Sequence, residues 1–218
     1  MKTNWLKRTL KAPARYRTGK GFGVHSPFAF KFITRVLRET LPFYAYSNQK
    51  IRYRDAERNS VKHPFLTLKR IRLLFRTANF FCPESVLQLG ADNGLVTAAL
   101  LDVNSAMKIA RCGCDGSFES QNVTEYAAID ALPSDMVPEM VIVVDTEKSE
   151  AVENFLQRAV EAESVIVFPC IDHKVQIKEL WDALNASAAD YGMTFTNDKF
   201  GVLVAKKNLP RQHYNVWL

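Results

Sequence analysis

Long apolar runs are missing from this 218-residue sequence. No stretch approaches the ~18 consecutive apolar residues that a membrane-spanning helix needs. The basic opening Met1-Lys2-Thr3-Asn4-Trp5-Leu6-Lys7-Arg8 is not followed by the apolar core of a secretory signal. Repeats and low-complexity tracts are absent as well. With a hydrophobic fraction of 47% and a mean hydropathy of −0.14, the chain reads as globular and is expected to be cytoplasmic. Its length suits one domain with an extension, or two small domains.

Cysteine is scarce. Cys82, Cys112, Cys114 and Cys170 are unevenly spaced and sit in or beside apolar runs. Cys112 and Cys114 are two apart on an expected strand and so should share one face of it. No second cysteine pair or histidine pair lies near enough to complete a zinc site. Buried, reduced thiols are therefore expected.

Acid is scarce at one end. Residues 1–80 hold 19 Lys and Arg against three Asp and Glu, whereas the remainder holds 10 against 20, for an overall charge of +6. Such asymmetry suits a basic arm that meets an acidic partner, nucleic acid among them, and equally an arm that packs on the chain's own acidic half. The run Phe43-Tyr44-Ala45-Tyr46, beside Lys50, Arg52 and Arg54, interleaves aromatic and basic groups as single-stranded nucleic-acid binders do. It also suits a cap over a substrate pocket, which is the expectation taken here.

Two textures divide the chain, a basic, mainly helical extension over 1–82 and an α/β domain over 83–218. Residues 11–24 read as irregular. Ser26-Pro27 reads as an N-cap and first helical position, with a helix to about Glu39 stopped by Leu41-Pro42. A short helix is expected over 51–58 and a strong one over 65–81. From there apolar strands alternate with helices: strands over 85–89, 107–114, 126–129, 140–144 and 164–168, and helices over 96–101, 150–161 and 175–191. A closing hairpin-like pair over 194–196 and 202–205 brings the strands to seven. Continuous β-branched runs such as Met140–Val144 predict parallel strands buried on both faces. The expected fold is α/β, a Rossmann-like doubly wound, mostly parallel sheet with its ligand at the carboxyl ends of the strands.

The chemistry centres on Leu89-Gly90-Ala91-Asp92-Asn93-Gly94. Gly90 ends a strand where the backbone must turn sharply, and Gly94 opens the next helix. The spacing is G-x-x-x-G, not the G-x-G-x-x-G that wraps a pyrophosphate. A bare strand-to-helix turn gives the same pattern. Acids at successive strand ends add to it: Asp115 can accept from ribose hydroxyls, Asp130 lies where an adenine amino group would sit, and Asp145 follows the fourth strand. Each alone is also an ordinary loop or capping residue.

Residues 83–145, through Val86-Leu87-Gln88-Leu89-Gly90 and its turn, resemble class I S-adenosylmethionine-dependent methyltransferases. The wider chain is similar to the O-methyltransferase-like group found in Bacteroidetes. That similarity rests on Gly23-Val24-His25-Ser26-Pro27-Phe28, Leu73-Leu74-Phe75-Arg76, Val165-Ile166-Val167-Phe168 with Glu179-Leu180-Trp181, and Arg211-Gln212-His213-Tyr214. The resemblance implies S-adenosylmethionine as cofactor, a seven-stranded sheet of methyltransferase type, and cofactor contacts at Gly90, Gly94, Asp115 and Asp130. Gln88, Ala91 and Asp92 complete the expected cofactor segment.

Departures from the family pattern fall on the chemistry. Gln88 stands where the family usually has Glu, though its amide oxygen still accepts a hydrogen bond. Asp145-Thr146-Glu147-Lys148 resembles a D-x-D-K segment in which the Asp binds a cation and the Lys serves as base. The acidic pair such enzymes carry after the fifth strand is replaced by Pro169-Cys170. Hard cations want several oxygen ligands, so no metal is expected, Asp172 and His173 being the nearest substitutes. Asp145, Lys148 and His25 are the candidate catalytic groups. Lys148 can equally be a solvated helix terminus, and His25 a brace of the Ser26 helix.

The expected function is metal-independent methyl transfer to an unidentified small molecule. A catalytically eroded binding protein, a pseudoenzyme on the same fold, is one alternative. An RNA-binding or RNA-modifying protein working through the basic arm is another.

Overall fold

The computed structural model describes residues 5–59, 65–114, 118–187 and 190–216. Eight strands form one sheet: β1 (Ser85–Leu89), β2 (Lys108–Cys112), β3 (Val123–Tyr126), β4 (Met140–Val143), β5 (Val165–Phe168), β6 (Met193–Thr196), β7 (Gly201–Val204) and β8 (Gln212–Asn215). Their order is β3-β2-β1-β4-β5-β7-β6-β8, with β7 antiparallel to both of its neighbours and the other pairings parallel. The chain winds from β1 outward to β3, then restarts at β4 on β1's other side. In open α/β sheets, ligands bind beyond the carboxyl ends of the strands at such a reversal.

Alternation along each strand builds two cores. Val86, Ile109, Met140, Ile142, Val165 and Val167 face one side, and Leu87, Leu89, Val141, Val143, Ile166 and Phe168 the other. Each such side chain, fully buried, contributes roughly 1.5–3 kcal/mol. The second face is covered by α6 (Glu150–Glu161) and α7 (Val175–Ser187), through Phe155, Leu156, Leu180 and Trp181. The first is covered by α2 (Pro27–Phe32), α4 (Leu68–Phe81) and α5 (Leu95–Leu101). Ser26 caps α2 as expected, accepting from the Ala29 amide at 3.3 Å, and the helix continues as a π-helical turn over Ile33–Leu37.

The extension diverges from expectation at its start. Residues 11–24 read as irregular, yet α1 (Trp5–Gly19) runs through Pro13. Tertiary bonds hold this helix against the proline: Arg15, only 3% exposed, donates to Asn215 Oδ1 at 2.6 Å and pairs with Asp198. Asn215 lies on β8, the eighth strand. Gln212-His213-Tyr214-Asn215 shows no apolar run, and its pairing with β6 is joined by Tyr214, which stacks on Phe195 with ring centroids 5.2 Å apart, and by a Thr194–His213 side-chain contact. The third strand sits three residues earlier than expected, and Ile129–Ala131 forms a 3-10 turn instead.

The remaining helix, α3 (Tyr46–Asn59), lies against α4 and α5. Arg52 on α3 pairs with Asp102 at the end of α5, and Arg70 on α4 pairs with Asp172. With Arg15–Asp198 these are three ion pairs from the basic extension onto the acidic half, so part of the charge asymmetry is internal. The aromatic run does not form a lid over the strand ends. Phe43, Tyr44 and Tyr46 pack on Phe75, and the Tyr44 hydroxyl donates to the Asp102 carbonyl at the far end of α5. Two cysteine expectations also fail. Cys82 is exposed, in the left-handed cap that ends α4. Gly113 (φ 63°) carries the chain off β2, so Cys114 does not share the strand face of Cys112. Among the described residues no helix is long and apolar enough to cross a membrane.

Candidate functional site

The turn after β1 is held from beneath by a buried polar network. Gln88 is fully buried; its Nε2 donates to the Gly90 carbonyl at 3.1 Å and to Asp92 Oδ1 at 2.8 Å, while its Oε1 accepts from the Thr97 hydroxyl at 2.8 Å. Asp92 in turn accepts from the Val96 amide and so caps α5. Burial pushes the Asp92 carboxyl above its ordinary range, against the Val96 and Gln88 bonds that favour the charged form. Both side chains are therefore committed inside the protein. They position the turn, and the partners shown for Gln88 and Asp92 are groups of the protein itself. The parts that face outward are Ala91 and Gly94, both half-buried, and exposed Asn93.

Backbone geometry accounts for the glycines. Gly90 has φ 90° and lies against the Asp145 backbone, and Gly94 (φ 75°) follows Asn93 (φ 61°), two left-handed residues in succession. Cys114, unremarked as a site residue in the sequence, lies beside the turn. Its thiol approaches the Gly90 carbonyl at 3.2 Å, and burial pushes its pKa to about 11, so it is a neutral thiol at pH 7. Arg111 on β2 is buried, pairs with Glu125 on β3 and stacks over Phe118. A cavity of about 600 Å³ flanks the turn on the α3 side, reaching Asn93, Gly94, Arg111 and Phe118.

Of the expected acids, Asp130 is exposed on the 3-10 turn past the end of β3, and Asp115 lies outside the described residues. Asp145 follows β4, and Lys174 Nζ sits 2.7 Å from its Oδ1 and 2.8 Å from its Oδ2. The structure thus brings Lys174, not Lys148, onto Asp145. Lys148 turns to Glu153 on the first turn of α6, at 3.4 Å. His25 is not at this edge: it precedes Ser26, whose hydroxyl lies 3.9 Å from Met193 Sδ at the amino end of β6. Nothing in the sequence distance between residue 25 and the strands could reveal which edge it meets.

A second group, largely missed from sequence, gathers past β5. His173 stacks on Phe65 with ring centroids 3.9 Å apart, and its Nε2 lies 3.8 Å from Asp145 Oδ2. Burial lowers the His173 pKa, partly offset by the Asp145 charge, so its imidazole is neutral at pH 7. Arg70 bridges Asp172 Oδ1, at 2.6 Å, and the Cys170 sulfur; burial pushes the Cys170 thiol up to about 12. Phe65 and Arg70 thus reach the strand ends from the extension. Among the described residues no cluster of three or more His, Cys, Asp or Glu is placed to hold a metal.

No protein-family model and no curated relative matches this sequence. Solved structures do match its backbone. One is a methyltransferase from Geobacter sulfurreducens, with TM-score 0.52 and 10% identity over 77% of this chain and 93% of that one. Another is an O-methyltransferase from Bacillus cereus in complex with SAH, with TM-score 0.50 and 12% identity over 78% and 95%. The fold is the Rossmann-like methyltransferase type, preceded by N-terminal helices. At these identities the likeness is one of architecture, and a fold does not fix function.

Proposed function

We propose that the chain is an S-adenosylmethionine-dependent methyltransferase acting on a small-molecule acceptor without a metal. The observation that carries this reading is the left-handed Gly90–Gly94 turn at the reversal point between β1 and β4. The donor set also fits. The turn offers backbone and a neutral thiol, and its nearby cation Arg111 is committed to Glu125. That suits a cationic, hydroxyl-bearing ligand better than a pyrophosphate. Gly90, Ala91, Gly94, Asp115 and Asp130 would hold it, with residues 83–218 as the cofactor domain and residues 1–82 as the extension that selects the acceptor.

Adenosylmethionine, when bound, supplies an electrophilic methyl group. What remains for the chain is to align the acceptor, exclude water and take up a proton. His173 is the group at this edge suited to the last task. It is neutral at pH 7, one quarter exposed, fixed by the Phe65 ring and faced by Asp145. Asp145 and Lys174 form the charged wall beside it.

Calorimetry of the full chain with adenosylmethionine and adenosylhomocysteine tests the reading. Saturable binding of both, weakened by Asp130→Ala, is the expected result. Failure of both ligands to bind would sink it. Binding without turnover across acceptor classes would favour the eroded, binding-only alternative, for which the closed Asp145–Lys174 pair is the supporting observation.

A further inference from the structure

Four cations of the extension converge on one cavity, and among the described residues none of them is in an ion pair. The cavity, of about 450 Å³, lies between the end of the π-helical turn and α4. Lys69, Arg72 and Arg76 project from α4 at helical spacing, and Arg38 closes the opposite side. One carboxylate also lines it, Glu39, whose Oε1 accepts the Thr40 and Leu41 amides at 2.7 and 2.8 Å. Arg15, Arg52 and Arg70, from the same extension, each meet an aspartate. Among the described residues, the four cavity cations meet none.

The donors are fixed in place rather than trailing in solvent. Arg76 donates to the Val36 carbonyl at 2.7 Å and to the Tyr46 hydroxyl at 2.8 Å. Arg72 donates to the Tyr46 carbonyl at 3.1 Å and lies over the Tyr46 ring at 4.5 Å. These contacts use some guanidinium N–H groups and leave others unmet. Arg38 Nη1 and Arg72 Nε are both shielded from solvent with no acceptor. The Tyr46 hydroxyl, already accepting from Arg76, keeps its proton to donate.

We propose that this cavity is a binding site for a phosphate group, carried by a small phosphomonoester. A tetrahedral dianion presents several strong acceptor oxygens in different directions, which matches donors arriving from Arg38, Arg72, Tyr46 and Lys69. Four cations against one carboxylate leave a surplus of three positive charges, more than a single carboxylate ligand neutralises. The donors enclose one cavity instead of following a groove, so a single terminal phosphate fits better than a polynucleotide backbone. The assignment does not rest on the methyltransferase reading.

The test is calorimetric titration of the full chain with inorganic phosphate, compared with chloride at matched ionic strength. Single-site binding is expected, weakened about tenfold by Lys69→Gln and similarly by Arg38→Gln. Lys178→Gln, which removes a cation paired with Asp182 on α7, should leave it unchanged. Lys69 is exposed, so its variant should keep the parent melting temperature, which separates lost binding from lost folding. A simple sugar phosphate should bind at least as tightly as phosphate. The proposal is overturned if phosphate does not bind, or if both cavity variants bind it like the parent. It is equally overturned if only oligonucleotides bind, with affinity that grows with their length.

Discussion

The carbonyl oxygen of Asp145 lies 1.7 Å from the point where a Cβ on Gly90 would sit, and its carbonyl carbon 2.3 Å. The end of β4 thus crosses the end of β1 so closely that only hydrogen fits between them. The Val144 amide, bonded to the Leu89 carbonyl at 2.9 Å, holds the two chains at that separation. Gly90 therefore has a reason to be glycine that no ligand is needed to supply.

Gly90→Ala is accordingly expected to destabilise the fold by about 3 kcal/mol or more, combining backbone overlap with an unfavourable positive φ. Gly94 is the contrast. A Cβ there meets the Phe118 ring at an ordinary 3.5 Å, so Gly94→Ala should cost only about 1 kcal/mol, from its φ of 75°. Urea denaturation of both variants distinguishes the sites, and equal losses would contradict the packing argument. A Gly90 substitution also makes a poor probe of cofactor binding, because it alters the fold first.

Gln88→Glu is expected to be destabilising with a definite pH dependence. It would place a second carboxylate where Gln88 Nε2 now sits 2.8 Å from Asp92 Oδ1 and 3.1 Å from the Gly90 carbonyl. The folded pair would retain a proton that the unfolded chain releases near pH 4. The native state then binds more protons, so stability falls as pH rises above that range. Thermal melts should show the variant close to the parent near pH 4 and roughly 2–4 kcal/mol weaker at pH 8. A pH-independent gap would exclude the coupled pair.

The sheet was legible because its strands are continuous apolar runs, and Met140–Val143 or Val165–Phe168 can hardly be anything else. The Gly90 turn was legible because glycine spacing records backbone geometry directly. What stayed hidden depended on tertiary pairing. Arg15 finds Asn215 and Asp198 some two hundred residues away, and that pairing anchors the helix through Pro13 to the eighth strand. Similarly, Gln88 and Asp92 sit in a segment whose pattern points to a ligand, yet burial turns both inward. His173 next to Phe65 is a contact between an extension and a strand end, and no local pattern encodes it.

Arg15→Ala should detach α1 from the sheet edge. It leaves the Asp198 carboxylate and Asn215 without their partner, but Asp198 is partly exposed and can be rehydrated. A loss of about 1–3 kcal/mol is expected. Hydrogen exchange should show faster exchange in Gln212–Asn215 and in α1, with β1 and β4 unchanged. Uniform acceleration across the sheet would mean that the clamp serves the whole fold instead.

Lys174 Nζ lies within 2.8 Å of both oxygens of Asp145, and an ammonium there repels a divalent cation. Magnesium or calcium should leave the melting temperature of the parent unchanged, and a chelator should leave cofactor binding unchanged. Lys174→Gln removes the competing charge and exposes the carboxylate. A metal-induced stabilisation of the parent would contradict the ion-pair reading of this edge.

His173 titrates in the direction that makes it useful. Burial lowers its pKa, so below about pH 6.5 the unfolded chain takes up a proton that the folded chain resists. The unfolded state then binds more protons, and the contribution of this residue rises with pH until about 6.5 and is level above. With one quarter of the side chain exposed, the effect should stay below about 1 kcal/mol. His173→Phe keeps a ring against Phe65 and removes the titration, so the difference between parent and variant should change only across that window. Under the methyltransferase reading the same variant should bind adenosylhomocysteine normally, while turnover of a hydroxyl acceptor falls by about a hundredfold. Normal turnover with a lost stability slope would leave His173 as a packing residue, whereas loss of cofactor binding would show that the substitution disturbs the strand ends themselves.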